Sequence, residues 1–591
     1  MLFSVKFCLL IFLILLGLLG SLSPIFSIST YKIVVLLAGS LLLFYVLSLV
    51  NRKHMDSKLT EFTPLSILFL LFLSWSAFGY LYSKDPAKSL YLTIQSLGAI
   101  LMYLGLMLHI QQESQIKTIL KILLCFSGML ALVAILQQFH LPVFKNPMAG
   151  TDNNSTSLFV HKNVFSGYLV LFIPLSCLVY LSSFSKIWKY TAGISLVLSL
   201  TALGFSGSRG GQLVTIFSLP VMMGYLIFNK DLKGVILLAQ GIVVSIILYL
   251  VIAPISKNLG LQISGSSFVD SRASLVNLVQ GGFGGQQWFN RILFWQGAWE
   301  IFKDHWLIGS GPLSFALLFP KYLLNFTPII KNQFLTSGAP PHAHNFFMQT
   351  ASDSGLIGIG LLLAFLTLFY MQSYKLLRVS SLETRSTVFF FAIAVTCFLA
   401  HHMAEYNWPG PMFIYHFTFF IFTIDFIYRK QFDFKKISQP KTIAFILPTL
   451  GIIVVFFTLV SCTQYYKFHS ILSERFPPGT NLQKLTSLIE RAKQSCPRCD
   501  KPYIKMAMNL LATYRTNSEK KLLLLAKDEL LEGRKLNPYN PHYMGYLGQV
   551  FAIEGDYGRG LRLLKEALRF NQTHHIAKLG LSSVELRRLD R

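Results

Sequence analysis

Charge is scarce in this chain, and negative charge is scarcest. Of 591 residues only 13% are Asp, Glu, Lys or Arg, and 26 acidic residues face 52 basic ones. With 53% of its residues hydrophobic, a chain of this length is too apolar to be one water-soluble domain, and the composition predicts an all-α polytopic membrane protein. The formal net charge of +26 would suggest nucleic acid as the partner of a soluble protein. In a membrane protein Lys and Arg instead collect in cytoplasmic loops and meet membrane lipids, so no nucleic-acid partner is expected. The lack of carboxylates has a chemical consequence as well. The loop SLSPIFSIST after the first apolar run contains no acidic residue, so no carboxylate pair stands there to hold a metal, and positive charge for an anionic ligand must come from arginine.

Cysteine is also sparse, at seven residues. Cys8, Cys125, Cys177, Cys397 and Cys462 lie in or beside apolar runs, where a thiol serves as a small apolar filler. Cys496 and Cys499 form CPRC in a segment of helical character. A thioredoxin-like role would need a βαβ setting and zinc would need two more ligands, which leaves a structural disulfide or two idle thiols.

What the chain has in abundance is apolar runs. Runs near the roughly 20 residues needed to cross a bilayer fall at 2–20, 31–50, 63–83, 89–110, 118–138, 163–183, 187–203, 210–228, 232–254, 353–374, 386–403, 409–428 and 443–463, which makes about 13 transmembrane helices. The first resembles a signal peptide, but no small-residue cleavage site follows clearly, so it reads as a retained helix. With the N-terminus cytoplasmic, the inside loops gather Arg52, Lys53, Lys186, Lys189, Lys230, Lys233 and the run from Arg429 to Lys441, while the short outside loops carry far fewer cations. This asymmetry places the long loop 255–350 on the outer side. The membrane domain then spans 1–463, and an odd number of spans sends residues 464–591 outside too. That tail reads as a soluble helical domain with a repeat of about 34 residues, in which Ala526 and Leu530 are followed by Gly560 and Leu564, and it resembles a short stack of tetratricopeptide-like repeats able to bind a protein partner.

Polar chemistry concentrates in the outer segments. In SGSRGG, Arg209 and Ser208 sit at the mouth of a span. Helix-terminal amides, glycines that allow close approach and a guanidinium fork could bind a diphosphate there, or Arg209 could merely anchor the helix at the interface. Arg291 opens a stretch in which Trp295, Trp299, Phe302 and Trp306 recur at helical spacing, the pattern of an amphipathic interfacial helix, and a second phosphate contact through Arg291 is plausible on this spacing. In PPHAHN, Asn345 suits the N-cap of the next span, and His342 and His344 project at alternate positions before it. A histidine at the membrane boundary can act as a general base near neutral pH, and metal binding is the alternative. His161 and Asn163 in HKN could line the same cavity or cap their own span. His401, His402 and Glu405 could form a proton relay or serve solubility. GSGPLSF after Trp306 is most simply a turn that reverses the loop.

Taken together, HKN, SGSRGG, the R-x3-W-x3-W-x2-F-x-D-H-W-x-I-G-x-G-P stretch, and HAHN followed by GLIG resemble the O-antigen ligase and polymerase superfamily of bacterial membrane glycosyltransferases, over roughly residues 60 to 430. The resemblance implies a cofactor-free, metal-independent enzyme of the bacterial inner membrane with its site on the periplasmic side. It would move a glycan from undecaprenyl diphosphate to an acceptor such as lipid A-core, a second glycan or a protein. His344 would match the catalytic histidine, with His342 beside it, and Arg209 and Arg291 the diphosphate-binding arginines. His161, Asn163, Ser208, Trp295 and Asn345 would line the substrate. Two other classes stand as alternatives. A transporter would place its polar residues along span centres rather than at one mouth, and a scaffold would not need a histidine and arginine mouth.

Overall fold

The structure is a computed structural model. It describes residues 61–139, 155–159, 161–181, 184–258, 286–323, 340–432, 443–473, 482–571 and 574–589, with 32, 38–43, 45 and 46. The chain is an all-α polytopic membrane protein: among the described residues there is no strand, and 11 helices are long and apolar enough to cross a membrane. These are α1 (Pro64–Phe78, extended by a 3-10 turn Gly79–Leu81), α2 (Pro86–His109), α3 (Glu113–Leu136), α4 (Lys162–Leu181), α5 (Lys186–Ser206), α6 (Arg209–Phe228) and α7 (Leu232–Asn258), then α10 (Phe346–Val379), α11 (Leu382–His401), α12 (Pro411–Gln431) and α13 (Ile443–Ser473). Between α7 and α10 lie two shorter helices, α8 (Gln286–Asp304) and α9 (Phe315–Leu323). Each expected span from 63–83 onward is met by one of these helices. The expected spans 2–20 and 31–50 lie almost wholly outside the described residues.

Helix boundaries follow local chemistry. Thr63 caps α1 by accepting from Ser66 N, Asp85 caps α2 by accepting from Lys88 N, and each is followed by a proline at the first helical position, where a missing N–H costs nothing. In the bundle α2, α4 and α12 are innermost, with 94%, 83% and 89% of their most apolar windows buried, whereas α6 and α7 have only 22% buried. Because lipid is as apolar as leucine, close packing rather than water exclusion holds such helices together. Gly211 of α6 meets α4 so closely that a Cβ would lie 2.7 Å from Ser166 Cβ. At one end of the bundle Asp425 of α12 pairs with Arg429 (Nε to Oδ2, 3.1 Å) with both side chains fully buried. It also accepts from Tyr103 Oη of α2 at 2.8 Å and from the Thr63 hydroxyl. The carboxylate is thereby saturated, as a buried charge must be, and ties α1, α2 and α12 together.

At the opposite end α10 is broken in its third turn. Gly355 has φ 64° and ψ −164°, a conformation open to glycine. A Cβ there would lie 2.5 Å from Gly309 N. The break frees backbone groups, and the turn after α8 satisfies them. Leu356 N donates to Trp306 O (2.7 Å), Ser310 N to Ser352 O (2.9 Å) and Gly311 N to Asp353 O (2.9 Å), while Trp75 Nε1 of α1 reaches Ser354 O at 3.0 Å. The GSGP segment is thus a turn, as its sequence suggests, but one interlocked with a broken membrane helix.

Beyond Ser473 the tail is helical: α14 (Leu482–Ser495), α15 (Lys501–Asn517), α16 (Lys520–Leu536), α17 (Pro541–Ile553), α18 (Tyr557–Phe570) and α19 (His575–Leu589). Ala526, Leu530, Leu547, Leu564 and Ala567 are all fully buried. Cys496 and Cys499 are joined in a disulfide between α14 and α15. The expected tail boundary at 464 falls inside α13, which continues to Ser473.

Gly355→Ala should lower the thermal unfolding midpoint in detergent by several degrees, in line with about 1–3 kcal/mol for a side chain forced into such a backbone region. Gly360→Ala, on the same helix with nothing within 4 Å of its Cβ position, should change little; equal midpoints for the two variants would contradict the interlock.

Candidate active site at the histidine loop

The site is built outward from the start of α10. Asn345 is its N-cap, accepting from Phe347 N (2.9 Å) and Met348 N (3.0 Å) through Oδ1, and its Nδ2 donates to Met403 O at 2.9 Å. Its side chain is therefore spent on anchoring the loop. His344 lies just outside the cap with φ 50°, a left-handed conformation uncommon for a non-glycine residue and one that surrounding contacts must hold. Several do. His344 N donates to His342 Nδ1 at 3.3 Å, and the flanking Ala343 N donates to Gln349 Oε1 at 2.7 Å. Gln349 Nε2 in turn donates to Asp353 Oδ1 at 2.9 Å. The two imidazoles lie with centroids 4.2 Å apart, and Phe294 of α8 stacks on His344 at 5.5 Å.

The connection between α11 and α12 supplies the partner that completes this loop. Phe346 N donates to His402 O at 2.8 Å, which brings Glu405 beside the histidines. Glu405 is 6% exposed. Its Oε2 lies 3.3 Å from His344 Nδ1. Its Oε1 accepts from Asn163 Nδ2 at 2.6 Å and from Arg291 Nη2 at 3.4 Å. Asn163 Oδ1 accepts from Ser208 Oγ (3.0 Å), Ser208 from Ser166 Oγ (2.7 Å), and His401 Nε2 lies 3.2 Å from Ser166 Oγ. Three segments far apart in sequence therefore meet on the Glu405 carboxylate. Burial pushes the Glu405 carboxyl up, but the hydrogen bond from His344 and the neighbouring imidazoles outweigh it and hold it below its ordinary range. Since an ionised carboxylate only accepts, His344 must donate from Nδ1, which leaves Nε2 as the basic ring atom. His342 differs: burial, with the His344 ring beside it, pushes it down to about 3, so it stays neutral and accepts the His344 amide.

The remaining expected residues are placed as follows. Ser208 is buried in the network. Arg209, next to it at the first turn of α6, is exposed and makes no polar contact among the described residues. His161 is exposed, and its Nδ1 accepts from Asn163 N at 3.2 Å at the start of α4. Trp295 is partly buried against Leu293, Phe294 and Ala298, whereas Trp299 and Trp306 are about half exposed, at 50% and 55%. The residue the sequence underrated is Glu405. The signal was present, since an acid three residues after a histidine pair and next to a tyrosine is unusual in a chain with so few acids, but no spacing rule connects it to residues 61 and more positions away. His342, His344 and Glu405 place one donor atom each within 4.8 Å of one another, a set that could hold a transition metal.

Burial pushes His402 down to about 3 as well; its Nδ1 lies 2.8 Å from Phe398 O. For both His342 and His402 the folded value lies below the unfolded one, so as pH falls below about 6.5 the unfolded chain takes up protons first and stability is lost progressively toward pH 3. The unfolding midpoint of the protein in detergent should fall across this window. It should fall less steeply for His402→Asn, whose amide can still reach Phe398 O; parallel slopes would remove His402 from the acid response.

Residues 194–363 match the family model described as O-antigen ligase. The matched segment runs from α5 to beyond the break in α10, so it contains Arg209, Arg291 and His344, while Asn163 and Glu405 enter the site from outside it. A comparison with curated proteins gives no match. The matched segment, set among apolar helices that converge on a histidine loop, makes this part of the membrane protein similar to the O-antigen ligase family.

Proposed function

We propose that the chain transfers a glycan from undecaprenyl diphosphate to a hydroxyl of an acceptor, lipid A-core or a similar glycolipid, on the periplasmic face of the bacterial inner membrane. The observation that carries this reading is the contact between Glu405 and His344 Nδ1, which orients the ring and leaves Nε2 to take a proton. The acceptor oxygen attacks the anomeric carbon, its proton passes to His344 Nε2, and the bond from that carbon to the diphosphate oxygen breaks. The diphosphate leaves as an anion. Arg209, with its free guanidinium at the N-terminus of α6, is suited to receive that anion through its fork and the helix-end amides. Arg291 spends one weak contact on Glu405 and retains donors for a phosphate. Trp295, His161 and Asn163 would border the donor glycan, and His342 holds the loop. No metal is required, because the leaving group is already a stable anion and cations are supplied by arginine. The paired helices α15 with α16 and α17 with α18, with small residues Ala526, Gly560 and Ala567 buried between them, fit a tetratricopeptide-like tail that recruits a partner or an acceptor on the same side.

The test uses purified protein in detergent with a synthetic diphosphate-linked donor. His344→Ala should bind donor but lose turnover by a factor on the order of 100 to 10,000. Glu405→Gln, which keeps shape but loses the charge that fixes the ring, should lose on the order of 100-fold. Arg209→Ala should weaken donor binding as well as turnover, with lysine a poor replacement. EDTA should have no effect. Normal turnover in His344→Ala would remove the histidine from the chemistry, and activity abolished by EDTA and restored by a divalent ion would replace the arginines with a metal held by His342, His344 and Glu405. In cells, long glycan left on the lipid carrier after loss of the protein supports ligation, while single repeat units or an unglycosylated secreted protein would point to polymerase or protein transfer.

A further inference from the structure

Among the contacts of the C-terminal domain with the membrane domain, one arginine stands in a conspicuous place. Arg498 sits inside the turn closed by the Cys496 to Cys499 disulfide. Both cysteines are buried against Ala87 at the start of α2 and Phe468 of α13. From that fixed turn Arg498 donates through Nη1 to Leu81 O (2.9 Å) and Ser83 O (3.4 Å) and through Nη2 to Tyr80 O (2.8 Å). Tyr80 and Leu81 belong to the 3-10 extension of α1 and Ser83 lies just past it, where the last helical oxygens lack partners and the helix dipole is negative. A guanidinium from the tail thus caps a membrane helix.

The capped segment is also the brace of the histidine loop. Tyr82 Oη donates to Ile308 O at 2.6 Å, Ser83 Oγ lies 3.0 Å from Ser314 Oγ, and Lys84 N donates to Ser310 O at 3.1 Å. The 308–314 turn is then joined to Asp353 through Leu313 N to Oδ2 at 2.9 Å. Asp353 holds Gln349, and Gln349 holds the amide of Ala343 between the two histidines. We infer that Arg498 is a positioning residue: by capping Tyr80 to Ser83 it fixes the 308–314 turn and, through Asp353 and Gln349, the left-handed conformation of His344, so that docking of the C-terminal domain regulates turnover. This rests on the reading of His344 as the base.

The full chain in detergent is assayed with a polyprenyl diphosphate-linked oligosaccharide, and backbone hydrogen exchange is followed in parallel. Arg498→Ala should lower kcat about three- to thirtyfold, the range of coupling changes along such networks, with donor KM unchanged. It should also raise exchange at 79–85, 306–314 and 342–350. Arg498→Lys should recover part of both, since an ammonium can still cap carbonyls, and Cys496→Ser with Cys499→Ser, which loosens the turn while keeping the arginine, should fall between. A wild-type kcat in Arg498→Ala, or an exchange increase confined to the tail and 79–85, overturns the coupling and makes Arg498 a tether. Should the alanine variant not fold, the lysine and double-serine variants carry the same readouts, and wild-type behaviour in both overturns it. A wild-type protein with no transferase activity would defeat the proposed function, while exchange at 342–350 would still decide the coupling.

Discussion

The histidine-loop end of the bundle depends on one buried carboxylate. Glu405 cannot return to water, so its charge must be met by donors, and the three it has come from α4 (Asn163), α8 (Arg291) and the loop before α10 (His344). An unpaired charge at that depth would cost several kcal/mol, more than any single interhelix packing contact supplies. The same interaction that gathers the outer segments therefore fixes the ring orientation of His344. Stability and chemistry are not separable at this residue.

The second constraint is the break in α10. A membrane helix that stops at Gly355 leaves backbone groups that lipid cannot satisfy, and the 306–314 turn pairs with them. The short helical start from Phe346 to Ser354 is thereby set off from the span that follows it, with the histidine loop at its head beside Glu405. Asp353, buried at the break, joins the two halves of the arrangement by accepting from Leu313 N on one side and Gln349 on the other.

The two ends of the bundle use similar devices to different ends. At the Asp425 end a carboxylate is closed off by Arg429, Tyr103 and Thr63, leaving nothing for a ligand. At the Glu405 end one of the partners is a partly exposed imidazole and another a partly exposed guanidinium, both with donor or acceptor capacity to spare. The first arrangement suits a staple and the second a site.

The sequence by itself determined the all-helical membrane architecture, the positions of the spans from residue 63 onward, the Asn345 cap and the convergence of basic and histidine motifs at one mouth. It could do so because hydrophobic length, capping chemistry and motif spacing are local properties. The tertiary structure alone decided that Glu405 joins His344, Asn163 and Arg291, that His342 is held neutral as a support, that Asn345 and Ser208 are spent on the scaffold, and that Arg498 of the tail caps α1. Each of these pairs residues from separate helices, and which outer segments share a carboxylate follows from helix packing in three dimensions, where close fit, not sequence period, sets the neighbours.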